Sequence, residues 1–167
     1  MPKIYEEIKQ TKPERKPGQL AVITIFRTAD VVHHAVDSAL SPFGLSEEQF
    51  NVLRILRGAG ENGLPTLEIS NRMLSRSPNI TRLIDRMLDK KLVRRTRPKG
   101  DRRVVIVSVT RQGLELLAHL DQVVDKVFES FPSTTDAEMQ TLLEVLDRIR
   151  EHMAVKTTAE LSAAKAK

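Results

Sequence analysis

The chain has 167 residues, of which 40% are hydrophobic and 29% are charged, and its formal net charge is +5. This length fits one domain with helical extensions, and the absence of cysteine excludes disulfides, thiolate metal sites and cysteine-based redox chemistry. Because there is neither an apolar run long enough to cross a membrane nor the apolar core of a signal peptide, we expect a cytoplasmic protein without membrane contact.

The first part of the chain predicts a polar extension followed by a long helix. Residues 1–17 are polar and proline-containing, with one short helical turn expected around Ile4 to Ile8. From 18 to 40, apolar residues form two stripes with helical spacing, which is typical of a helix buried on two sides. Pro42 and Gly44 then end the helix. We assign 18–45 to an N-terminal dimerisation helix, because a small domain cannot cover both stripes.

The next segment predicts two helices separated by a loop. Ser46 to Gln49 forms a capping box that opens a helix with Phe50 on its apolar face. The glycine-rich run 58–63 predicts a loop. Thr66 is then expected to cap a short helix, whose apolar residues are Leu67, Ile69 and Met73.

A further helix, the candidate recognition helix of a helix-turn-helix, is expected to begin at Ser77 and Pro78, since serine caps well and proline suits the first helical position. Its core stripe is Ile80, Leu83, Ile84, Met87 and Leu88. The opposite face carries Asn79, Arg82, Asp85 and Arg86, with Thr81 on the flank. Arginine can pair with guanine and asparagine with adenine, so this face suits a DNA major groove.

The periodicity then changes to that of a hairpin. Residues 92–97 and 104–109 are β-branched and basic runs, separated by turn residues at 98–101. The segment 76–103 contains eleven basic and three acidic residues, a net charge of +8, which leaves −3 for the rest of the chain. A basic block of this kind is typical of a polyanion-binding protein, although by itself it also fits a solvated charged face.

Two long helices complete the chain. Thr110 opens the first, and Thr135 to Glu138 is a second capping box that opens the other. We assign 111–155 to C-terminal dimerisation helices and expect 156–167 to be a disordered tail. Together these elements predict a mainly α (α+β) fold: a winged helix-turn-helix lobe at 46–110 with a two-stranded wing, flanked by long dimerisation helices.

Several motifs of the chain resemble those of the MarR family of multiple-antibiotic-resistance regulators, from about Gly18 to Met153. They are Ser77 to Arg86, Leu92 to Arg95, Asp101 to Arg103, Val107 to Thr110, and Gly113. The resemblance implies that Arg103 in the wing enters the minor groove, while Asp101 holds an arginine or the turn in place. It also implies a homodimer formed by the helix expected at 18–40 and the two C-terminal helices that begin near 110 and 135. Just after the helix that begins at Ser77, the family commonly has glycine where this chain has Lys91. A lysine in the left-handed conformation expected there lowers the folding stability by about 1 kcal/mol.

These patterns favour a sequence-specific transcriptional regulator of double-stranded DNA: a homodimeric repressor that binds an inverted-repeat operator and is relieved by a small-molecule effector. The predicted DNA contacts are Arg76, Ser77, Pro78, Asn79, Thr81, Arg82, Arg86, Lys99, Asp101, Arg102 and Arg103. The family resemblance implies a small anionic aromatic effector, for which helix positions suggest Arg27, His33 and Phe50. A winged-helix module that binds proteins instead of DNA is the alternative, and the basic wing disfavours it.

Catalytic and metal-binding functions have weaker support in the sequence. A metal site is conceivable from a cluster of carboxylates and imidazoles. Its members are Asp30, His33, His34 and Asp37, with His119 from a later helix. Interface or exposed histidines are the simpler interpretation. The sequence contains no recognisable arrangement of nucleophile and base, and Asp85 and Asp89 fit charge balance on the recognition helix. We therefore expect neither an enzyme nor a cofactor.

Overall fold

A computed structural model describes residues 3–11, 16–75, 79–97, 104–129 and 135–165, with the side chains of the last range described as far as residue 154. Within these ranges the chain is mostly helical with one small antiparallel sheet. The helices are α1 Ile4–Glu7, α2 Pro17–Leu40, α3 Glu47–Ala59, α4 Thr66–Arg72, α5 Ile80–Asp89, α6 Arg111–Glu129 and α7 Asp136–Lys165. The strands are β1 Leu64–Pro65, β2 Val93–Thr96 and β3 Ile106–Val109. The chain divides into two compact units, Met1–Glu129 and Ser130–Lys167, and α7 belongs to the second.

Helix α2 leaves most of its apolar surface uncovered in the single chain. Val36 and Leu40, near its C-terminal end, are its buried residues, whereas Phe26 is 71% exposed. The helix ends in a 3-10 turn, and Gly44 closes that turn with a left-handed φ of 66°. The predicted boundaries are therefore confirmed, but the burial on two sides is not achieved within unit 1–129.

Helix α3 begins with the predicted capping box. The backbone N–H of Gln49 donates to Ser46 Oγ, and the backbone N–H of Ser46 donates to Gln49 Oε1, both at 3.3 Å. A further acceptor comes from α2, because Asp37 Oδ1 accepts a hydrogen bond of 2.8 Å from the Glu47 N–H. The backbone N–H groups of Ser46, Glu47 and Gln49, which have no acceptor within the helix, are thereby satisfied. The buried face of α3 packs into one core with α2, α5, α6 and the sheet.

Three local predictions on the helix-turn-helix need correction. Gly58 lies inside α3 and not in a loop. Thr66 is the first residue of α4 and makes no side-chain cap, because Pro65 occupies the capping position. Leu67 is 74% exposed, since it lies two residues and about 200° around the helix from the buried Ile69.

The recognition helix also begins later than the sequence predicts. Helix α5 starts at Ile80, and the preceding Asn79 has a non-helical φ of −130°. The predicted start at Ser77 and Pro78 lies outside the described residues. The core stripe is confirmed, with Leu83, Ile84 and Met87 buried.

The predicted hairpin forms, and a third strand joins it. Strands β2 and β3 pair antiparallel from Val93 opposite Val109 to Thr96 opposite Ile106. Strand β1, which the sequence did not indicate, pairs with the other edge of β3, so the order is β1-β3-β2.

Gly63 makes the approach of β1 to β3 possible. Its φ is +60°, and a Cβ added there would lie 2.3 Å from the carbonyl oxygen of Val107. Any other residue would both strain the backbone and collide with β3. The third strand therefore depends on a single glycine.

The C-terminal end of α5 has the hydrogen bonds of a Schellman motif. The Leu92 N–H donates to the Met87 carbonyl at 3.0 Å, and the Lys91 N–H donates to the Leu88 carbonyl at 2.8 Å. Lys91 has a left-handed φ of +58°. The structure thus confirms the left-handed position that the sequence assigned to Lys91.

We expect Lys91→Gly to stabilise the protein by about 0.5–1 kcal/mol, because glycine adopts the left-handed conformation without a steric penalty. The greater entropy that glycine loses on folding offsets part of this gain. Chemical denaturation measures the change. Lys90→Gly is the control, measured against Lys90→Ala because both lose the hydrogen bond from Lys90 Nζ to the Gly44 carbonyl. Lys90 has an ordinary right-handed φ of −79°, so glycine should destabilise the protein there relative to alanine. Equal effects of the two substitutions would contradict the assignment.

Thr110 joins the end of α5, the wing and the start of α6. Its backbone N–H donates to the Leu92 carbonyl at 3.0 Å, and its hydroxyl donates to the Lys91 carbonyl at 2.8 Å. The same hydroxyl accepts from the Gly113 N–H at 3.0 Å and so caps α6, as predicted. Gly113 packs directly on this junction, because a Cβ there would lie 2.2 Å from the Leu92 carbonyl oxygen.

Helix α7, in the second unit, also begins as predicted. The Thr135 N–H donates to Glu138 Oε2 at 2.8 Å, and the Glu138 N–H donates to Thr135 Oγ1 at 3.3 Å. Hydrogen bonds from the Thr135 backbone and hydroxyl hold the pKa of Glu138 below its ordinary value. The helix continues to Lys165 and so includes most of the segment expected to be a disordered tail. Alanine and lysine dominate that segment, and both favour helix.

Candidate nucleic-acid interface

The outward face of α5 presents polar and cationic side chains. Thr81, Arg82 and Arg86 are exposed, and Asn79 is exposed at the helix start. The opposite face is buried in the core, so these side chains cannot turn inward. The described recognition-helix residues are therefore exposed, as the sequence predicts, with Thr81 on the flank.

Seven further predicted DNA contacts lie outside the described residues. They are Arg76, Ser77, Pro78, Lys99, Asp101, Arg102 and Arg103. Their DNA contacts stay predictions, and so does the minor-groove role that the family resemblance implies for Arg103.

Strand β2 adds two arginines to this surface in different environments. Arg94 Nε donates to Ser108 Oγ at 2.9 Å across the sheet. Arg95 Nη1 lies 2.6 Å from Asp85 Oδ1, and this ion pair joins the wing to α5. Sequence analysis predicted for Asp85 only a general charge-balancing role. The alternation of strand side chains could have indicated that one of two successive arginines faces the recognition helix.

A groove of about 740 Å³ lies beside this pair, between α4, α5 and the wing strands. Its lining includes Thr81 and Arg95 together with the apolar Leu67 and Val104. Because Thr81 is exposed on the flank of this face of α5, the groove adjoins the candidate DNA-binding surface.

A second cavity of about 660 Å³ lies between the C-terminal end of α2, the start of α3 and α5. Arg86 of α5 and Lys90, which directly follows that helix, line it on one side, and Asp37 lines it from α2. Lys90 Nζ donates to the Gly44 carbonyl, which fixes the end of α5 to the turn after α2. The sequence did not single out Lys90, since its partner is distant in the chain.

The structure does not bring the three predicted effector residues together. Arg27 lies 3.6 Å from Glu7 and 3.5 Å from Asp30, and His33 Nδ1 lies 2.5 Å from Glu47 Oε2. Phe50 is 5% exposed and belongs to the core. Neither the groove nor the second cavity is lined by any of the three. The effector assignment stays a prediction.

The conceivable metal site has no support in the described part of the chain. No group of three or more His, Asp and Glu side chains is placed there to hold a metal ion. Asp37 instead accepts from the Glu47 N–H, and the His119 ring packs edge-on against Phe43, with centroids 5.2 Å apart. None of the described helices is long and apolar enough to span a membrane.

Comparison with known proteins gives consistent matches. The family model described as "MarR family" matches residues 45–105. The uncharacterized HTH-type transcriptional regulator YpoP of Bacillus subtilis (strain 168) is 32% identical over 110 residues, covering 63% of this chain and 74% of the relative. The crystal structure of a MarR transcription factor from Planctomyces limnophilus has 36% identity and a TM-score of 0.62, covering 84% of this chain and 98% of that one.

A ligand-bound structure is also similar. CouR from Rhodococcus jostii RHA1, solved bound to p-coumaroyl-CoA, has 25% identity and a TM-score of 0.66, covering 77% of this chain and 90% of its own.

Proposed function

The chain belongs to the MarR family and is a DNA-binding transcriptional regulator, and from this premise we propose that it represses transcription as a homodimer bound to an inverted-repeat operator. The observation that carries the proposal is the exposed face of α5, with Arg82 and Arg86 beside the basic strand β2. Arginine side chains on an exposed helix can reach base edges in a major groove and phosphates on either side.

Uncovered apolar residues on two long helices support the homodimer. On α2, Val22, Phe26 and Val31 are exposed, and on α7, Leu142 and Leu143 are about half exposed. Surface of this kind is covered by association more often than it is left in water, and two-fold dimers are the commonest assembly. Two recognition helices related by such an axis would meet major-groove sites about 10–10.5 bp apart.

The proposal includes relief of repression by a small anionic aromatic effector. The similar protein CouR was solved with p-coumaroyl-CoA, which is both aromatic and anionic. Of the residues predicted for the effector, Arg27 would supply the positive charge and His33 a hydrogen bond, whereas Phe50 lies in the core. Because Arg27 is paired with Glu7 and Asp30, an anion bound there has to displace those carboxylates.

We expect DNA affinity to fall steeply with salt. The probe is a duplex selected by the wild-type protein from a random-sequence pool, and fluorescence anisotropy measures its binding between 50 and about 300 mM salt. A dimer that contacts about eight phosphates should give a log–log slope of about −7, at about −0.9 per contact. The selected sequence should be an imperfect inverted repeat. A slope near zero for folded protein would contradict DNA binding and favour a protein-interaction module.

A further inference from the structure

The ion pair between Asp85 and Arg95 places an acid on an otherwise cationic surface. Asp85 lies between Arg82 and Arg86 in the sequence of α5, and its carboxylate contacts Arg95 Nη1 at 2.6 Å. A carboxylate on a phosphate-binding surface repels the ligand unless its charge is neutralised. Arg95 supplies that neutralisation, and in exchange its own charge is withdrawn from other anions.

The exposure of the pair argues against a purely structural role. The side chain of Asp85 is 48% exposed and that of Arg95 is 34% exposed. Ion pairs this accessible to water contribute little to folding stability. The pair therefore matters more for where the guanidinium points than for the stability of the fold.

The position of Arg95 is suited to contact with DNA. Arg95 and Thr81 line the same groove between α5 and the wing, and Thr81 is on the exposed face of α5. The neighbouring Arg94 is held elsewhere, by Ser108 on the adjacent strand. Arg95 is thus the β2 arginine that Asp85 keeps against the recognition helix.

We propose that Asp85 is a specificity-determining positioning residue, which holds Arg95 against α5 and so withholds one cation per protomer from sequence-independent phosphate binding. This inference rests on the proposed DNA-binding function. Phosphate contacts carry most non-specific affinity, whereas base contacts carry sequence discrimination. Neutralising one arginine lowers the non-specific affinity but leaves the base-reading side chains in place. The ratio of specific to non-specific affinity therefore rises.

The test compares Asp85→Asn with wild type on two duplexes of equal length, one of random sequence and one selected by the wild-type protein. We expect the affinity of Asp85→Asn for the random duplex to rise on the order of tenfold at 0.1 M salt, with a log–log slope steeper by about 2, from two freed arginines per dimer at about 0.9 each. Affinity for the selected duplex should rise less, so the discrimination ratio falls. Asp85→Glu, which keeps the charge, should retain the wild-type slope.

Three variants identify the cause. In Asp85→Asn with Arg95→Gln, the slope should return to the wild-type value, because the freed cation is gone. Asp89→Asn removes a similar charge from a residue that makes no ion pair with the described part of the chain, and it should leave the slope unchanged. Arg82→Ala should lower affinity for the selected duplex.

The outcomes separate this inference from the function on which it rests. Equal loss of affinity for both duplexes in Asp85→Asn, or no change for either, would overturn the role of Asp85. Equal slopes for Asp85→Asn and Asp89→Asn would also overturn it. Wild-type protein that binds neither duplex would instead overturn the proposed function.

Discussion

Gly113→Ala is expected to destabilise the protein by about 3 kcal/mol, the upper end of the usual range for overpacking. The added Cβ would lie 2.2 Å from the Leu92 carbonyl oxygen and 2.9 Å from Val109 Cγ2. Backbone atoms of a hydrogen-bonded junction cannot give way like the end of a flexible side chain. Thermal unfolding should show a decrease of about 10 °C, at 2–4 °C per kcal/mol for a chain of this size.

Gly58→Ala is the matched control, because Gly58 is also helical but has no atom within 4 Å of an added Cβ. Alanine should stabilise α3 there by about 0.5–1 kcal/mol, through the lower entropy of the unfolded chain. The two substitutions make the same chemical change with opposite expected signs. A common sign would mean that helix propensity, and not the contact with Leu92, governs position 113.

Leu142→Glu combined with Ile149→Glu is expected to abolish dimerisation and, with it, binding to the selected duplex. Both side chains are at least 36% exposed in the single chain, so glutamate there barely affects the monomer. Buried unpaired at an interface, the two charges cost several kcal/mol, and about 3 kcal/mol already corresponds to about 100-fold in the dimer dissociation constant. Sedimentation at micromolar concentration measures assembly, and anisotropy measures DNA binding.

Ala137→Glu combined with Gln140→Glu introduces the same two charges at exposed positions on the opposite side of α7. This control should remain dimeric and bind the duplex. If the wild-type protein were monomeric and still bound a single half-site tightly, the homodimer proposal would be wrong.

Local patterns explain what the sequence predicts well. The two capping boxes, at Ser46 and Thr135, depend on residues three positions apart, so spacing alone locates them. The amphipathic face of α5 follows in the same way from helical periodicity. The left-handed position of Lys91 was indicated by family resemblance and is confirmed by its φ of +58°.

Contacts between distant segments explain most of what the sequence could not predict. Strand β1 has two residues, one of them proline, and becomes a strand only by pairing with β3. The partners of Asp85 and His33 are 10 and 14 residues away and on other elements. Phe50 was assigned to the apolar face of the correct helix, but that face packs into the core and lines neither cavity, because periodicity alone does not identify the neighbour that a face meets.

The arrangement of the three strands also bears on how the protein avoids aggregation. In the order β1-β3-β2, the strand β3 is paired on both sides, so among the described strands it is β1 and β2 that have edges open to another chain. Strand β1 is two residues long and ends in Pro65, which has no N–H to offer. Strand β2 carries Arg94 and Arg95, whose charges repel a second copy of the same strand. Growth of the sheet from molecule to molecule is thereby discouraged, in keeping with the proposal that the protein associates through its helical surfaces.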